Sequence, residues 1–99
     1  MTHAILPLLT ALGATSDEVA SALRAVRITA QPGANSFRNP IVRHINRHLD
    51  IGGYIEIPIG SSQLTVTRQG VSSTIELPKA VRSFLDRFHA GEFPILEQR

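Results

Sequence analysis

YIEIPIGSSQLTVTRQGVSSTIEL, residues 54–77, decides the fold class, because its apolar residues recur at every second position. Ile55, Ile57 and Ile59 fall on one side of an extended chain and Tyr54, Glu56 and Pro58 on the other, as in a strand with one covered face. "GSSQ" turns the chain, after which Leu64 and Val66 alternate with Thr65 and Thr67. "QG" at 69 and 70 is a tight turn, and Val71, Ser73, Ile75 and Leu77 share the next inner face. Three strands joined by short turns predict an antiparallel meander. Pro58 cannot donate to a ladder, so strand 54–59 belongs at an edge. The outer face carries Tyr54, Glu56, Thr65, Thr67, Ser72, Thr74 and Glu76. One wet face is usual for an antiparallel sheet, and a polar ligand or partner surface is its functional alternative.

Outside this block the apolar period is helical. Ile5, Leu8, Leu9 and Leu12 predict a short helix over 3–12, ended by Gly13. "TSDE" at 15–18 has the form of a capping box, and Val19, Ala22, Leu23 and Val26 continue from it as one helical face up to Arg27. Residues 28–38 lack periodicity and contain Pro32, Gly33, Asn35 and Ser36, so they read as a loop, with Phe37 pinning it to the core. Asn39 followed by Pro40 is a cap and first-turn pair that opens a helix to about Leu49. After the strands, Pro78 starts a helix whose Ala80, Val81, Phe84, Leu85 and Phe88 face the core. Gly91 caps it, and Phe93, Pro94, Ile95 and Leu96 fold back beneath. The predicted architecture is a single α+β domain, 1–99, of order α-α-α-β-β-β-α, its meander covered on one face by helices.

Ninety-nine residues suffice for one core and no second domain. The chain is 42% hydrophobic and 18% charged, the composition of a globular protein. Ten Lys and Arg against eight Asp and Glu leave +2, and all the cations except Lys79 are arginine. A charge this small makes no strong field, but arginine suits bidentate contact to carboxylate or phosphate. No cysteine is present, which removes disulfides, thiolate catalysis and cysteine zinc sites. The start, "MTHAILPLLTALGA", is apolar for about ten residues, too few to span a bilayer, and has no Lys or Arg before that run. A cytoplasmic location without a membrane anchor is expected.

The chemistry concentrates in "NPIVRHINRHLD", residues 39–50. On a helical wheel Ile41, Val42, Ile45 and Leu49 form one arc, while Arg43, His44, Arg47 and His48 occupy another. The histidines are spaced i, i+4, as metal ligands can be, but the arginines beside both repel a cation and no H-E-x-x-H glutamate is present; no metal or cofactor is expected. With Arg38, the arginines can reach phosphates or guanine edges. A helix-turn-helix fails on spacing, since the connection before Asn39 is far longer than that motif's turn. No nucleophile elbow, phosphate-cradling loop or dinucleotide fingerprint appears, so no enzyme is expected and no catalytic residue is named.

"FRNPIVRHINRHL" and "ELPKAVRSFLDRFHAGEFPIL" resemble a pattern of short uncharacterised bacterial proteins: a proline-opened helix, strands, then a closing helix ending in "AG" and an aromatic–proline pair. The resemblance implies a bacterial source and carries no known activity. Where such proteins would often have cysteine before the proline, this chain has Asn39. The functional expectation is a non-catalytic binding or regulatory module that meets a protein partner, an acidic one by charge, through Arg38, Arg43, His44, Arg47 and His48. The alternative is a small nucleic-acid-binding protein using the same helix.

Overall fold

In the computed structural model, which describes residues 4–31 and 38–97, two of the helices open on side-chain caps. The helices before the sheet are α1 (Ile5–Thr10), α2 (Ser16–Ala25) and α3 (Pro40–His48). At the start of α2, Thr15 Oγ1 accepts from the Glu18 amide at 3.2 Å, and Glu18 Oε1 accepts from the Ala14 amide at 2.7 Å. At the start of α3, Asn39 Oδ1 accepts from the Val42 amide at 2.9 Å, and Pro40 occupies the first turn. Both caps satisfy amides that the first turn leaves without partners.

The strands β1 (Tyr54–Glu56), β2 (Gln63–Arg68) and β3 (Val71–Glu76) form a sheet of order β1-β2-β3, antiparallel throughout. The expected α+β meander and its element order are therefore present. Gln69 and Gly70 both have positive φ, 50° and 79°, the requirement of a two-residue type I′ hairpin turn. Pairing of Arg68 with Val71 and Leu64 with Ile75 fixes the register. Ile55, Leu64 and Val66 are buried on one face, with Tyr54, Thr65, Thr67, Ser72 and Thr74 on the other.

Two strand expectations need correction. The strand drawn as 54–59 ends at Glu56, because Pro58 offers no ladder donor and its carbonyl instead accepts from Ser61 in a turn; Ile59 is 58% exposed rather than facing the core. On β3 only the Ile75 and Leu77 end is covered. Val71 is 68% exposed and Ser73 is exposed too, so the hairpin tip projects past the helical layer.

Helix α4 (Lys79–His89) supplies the largest core side chains, Phe84 and Phe88, both fully buried, with Val81 and Leu85 beside them. Burying each phenyl ring stabilises the fold by about 2–3 kcal/mol. The buried residues form one cluster that joins α1, α2, α3, the sheet and α4. A 3-10 turn, Pro94–Leu96, returns Leu96 to the core, and Phe93 stacks on Phe84 with ring centroids 5.3 Å apart. Ile95 points outward. Arg87 ties α4 to the start of α2: it donates to Ser16 Oγ at 2.6 Å, Asp17 Oδ1 at 3.0 Å and Glu92 Oε1 at 3.2 Å, and its guanidinium lies 4.7 Å from the Phe93 ring centre.

The segment between α2 and α3 begins with order that periodicity does not reveal. Ala30 is fully buried, its amide donates to the Leu96 carbonyl at 3.0 Å, and it bridges Glu97 in parallel. The expected anchor Phe37 lies outside the described residues.

Candidate functional site

The corner where α2 ends and α3 runs past it brings Arg43 and Arg47 against the backbone that follows α2. Helix α2 closes with a Schellman motif: the Ile28 amide donates to the Leu23 carbonyl at 3.1 Å and the Arg27 amide to Arg24 at 3.0 Å. Arg27 takes the left-handed position, φ 58°, where glycine is usual. Helix α4 ends in the same way, with Glu92 donating to Arg87 and Gly91 to Phe88, but there Gly91 holds the left-handed position at φ 83°. Leu23 and Ile28, the apolar pair of the first motif, are both buried.

Past this motif lie the arginines of α3. Arg43 Nη1 donates to the Thr29 carbonyl at 2.8 Å, and Arg47 Nη1 donates to the Val26 carbonyl. One helical turn separates Arg43 from Arg47, which lets the pair bracket the backbone of 26–29. Cations beside the C-terminal end of α2 also meet the negative end of its dipole. The side chains expected to face a partner therefore also hold two helices together.

The exposure of the five expected contact residues divides them. Arg38, Arg47 and His48 are exposed and Arg43 is half-buried. His44 departs from expectation: it is only 5% exposed. On the wheel it lies about 60 degrees from Ile41, and the covered side of α3 extends to Pro40 and His44, wider than its apolar residues define. Among the described residues, His44 Nδ1 has no hydrogen-bond partner, nor does the buried Nδ2 of Asn39. Burial holds the His44 imidazole below its ordinary range, and the His48 and Arg47 charges push in the same direction. The His48 ring stands 4.4 Å from that of His44, and its Nδ1 lies 3.1 Å from the His44 carbonyl, to which it donates in the Nδ1-protonated tautomer.

Arg27 joins this corner without having been marked in the sequence. Its backbone follows Val26, the residue whose carbonyl Arg47 holds, and its side chain is exposed. Among the described residues, Arg27, Arg38 and Arg47 have no carboxylate within ion-pair distance, whereas Arg87 has two. An open recess of about 530 Å³ continues from the corner past the end of α3, lined by Arg47, His48, Asp50 and Gly52 among others. Among the described residues no group of three or more His, Asp or Glu is placed to hold a metal ion, and no helix is long and apolar enough to cross a membrane. No protein family, curated protein or solved structure gave a match to the chain.

Proposed function

We propose that this chain is a non-catalytic binding module that docks an acidic protein surface on the α2–α3 corner through Arg27, Arg47 and His48, with Arg38, just before α3, as a further contact. The observation that carries the reading is the contrast in ion pairing. The arginine at the α2–α4 junction is satisfied by Asp17 and Glu92, while Arg27, Arg38 and Arg47 have no carboxylate of the described residues within ion-pair distance. A guanidinium bonded through one nitrogen keeps further N–H donors for a second acceptor. Arg47 is held in place by the Val26 carbonyl, so less side-chain freedom is lost when a partner carboxylate arrives.

Phosphate is the competing acceptor for the same cations, and salt separates the two. Binding of a fluorescent Asp- and Glu-rich peptide, compared with retardation of duplex DNA and of RNA at about 50 and about 200 mM salt, tests the reading. Peptide binding lost in the Arg27→Glu, Arg38→Glu double variant supports it. Nucleic-acid retardation that falls steeply with salt, in the absence of peptide binding, overturns it.

A further inference from the structure

We propose that the free edge of β3 pairs with β3 of a second copy of this chain, antiparallel about a two-fold axis at Thr74, joining the two meanders into one continuous sheet. The two edges of the sheet are unlike. β1 is only three residues long and is followed by Pro58, features that block strand addition. β3 is six residues long, pairs with β2 without a bulge, and contains no Pro, Gly, Lys or Arg. Among the described residues no strand lies beyond it.

The hydrogen-bond phase identifies the groups this edge offers. In a two-residue hairpin the residues flanking the turn, Arg68 and Val71, exchange backbone bonds, and every second pair after them does the same. The Leu77 amide donating to the Ser62 carbonyl at 2.9 Å extends that phase past the strand's end. Val71, Ser73, Ile75 and Leu77 therefore bond inward to β2, and the amides and carbonyls of Ser72, Thr74 and Glu76 point away from the sheet.

With the axis at Thr74, those outward groups satisfy one another: Thr74 pairs with its own copy and Ser72 with Glu76 of the other chain. No like charges oppose, and each Glu76 carboxylate meets a serine hydroxyl. Inward-facing residues stay inward-facing, so Val71, 68% exposed in the single chain, comes opposite Leu77 of the second copy. A second copy fits better than an unstructured peptide because its β3 is already extended and loses no ordering entropy on pairing.

Sedimentation velocity across a concentration series reads the assembly. Thr74→Pro removes an amide that points away from β2, leaving the hairpin intact, and Thr74→Lys puts like charges on the axis. The wild type is expected to sediment at twice the monomer mass at high concentration. Each variant should raise the dissociation constant at least about tenfold while keeping the wild-type circular dichroism spectrum. A wild type that stays monomeric throughout, or a dimer that both folded variants leave unchanged, overturns the proposal. Should Thr74→Pro fail to fold, Thr74→Lys alone decides.

Discussion

Arg43 donates from Nη1 to the carbonyl of Thr29 at 2.8 Å, so the middle of the basic helix is bonded to the backbone that follows α2. Alanine at a surface arginine ordinarily changes stability by less than about 0.5 kcal/mol. Here Arg43→Ala leaves the half-buried Thr29 carbonyl without its charged donor. We expect a loss of about 1–2 kcal/mol in urea unfolding. Arg47→Ala, at an exposed bond, should cost about 0.5 kcal/mol. If both variants unfold at the wild-type midpoint, these contacts do not hold α2 against α3.

Arg27 and Gly91 occupy the same position in two Schellman motifs, and only the glycine is free of the left-handed penalty. Arg27→Gly should therefore stabilise the fold by about 0.5–1 kcal/mol, seen as a higher melting temperature, while removing one cation from the proposed docking corner. A gain in stability together with weaker peptide binding is the expected pair of outcomes. Lower stability would mean that the Arg27 side chain makes a contact worth more than its backbone strain.

His44 predicts how stability depends on pH. Its imidazole is held below the ordinary value of 6.5 by burial, with His48 and Arg47 adding to the shift, so near that value the unfolded chain binds more protons than the folded one. Stability is whole above about 6.5 and falls as the pH drops through the window toward the folded value. His89 is lowered by its own burial, partly offset by Asp86, and contributes in the same direction. His44→Gln should flatten much of the decline in urea midpoint between pH 7 and pH 5; an unchanged slope in that variant would assign the effect to His89 alone.

The fold was legible where the chain's local preferences and its burial agree. Alternation over 54–77, the Thr15 and Asn39 caps and the apolar face of α4 each follow from short-range rules, and the structure contains them. The failures lie where tertiary contact decides. Ile59 and Val71 have the right period for a covered face, but the helical layer does not extend over them. His44 has the polarity of an exposed residue, yet it falls within the covered side of the helix. Pairing of Arg43 with Thr29 and of Arg47 with Val26 spans 14 and 21 residues, beyond any periodicity along one helix. Arg27 left one trace in the sequence, a position just past a helix end where glycine would be usual.

The docking corner is tested most directly by mapping backbone amide shifts of the ¹⁵N-labelled protein during titration with an Asp- and Glu-rich peptide. The predicted result is saturable shifts confined to residues 26–29, 38–39 and 43–50 and lost in the Arg27→Glu, Arg38→Glu variant. Shifts spread over the outer face of the sheet, or shifts at the corner produced by duplex DNA and not by the peptide, would contradict the assignment of this corner to an acidic protein partner.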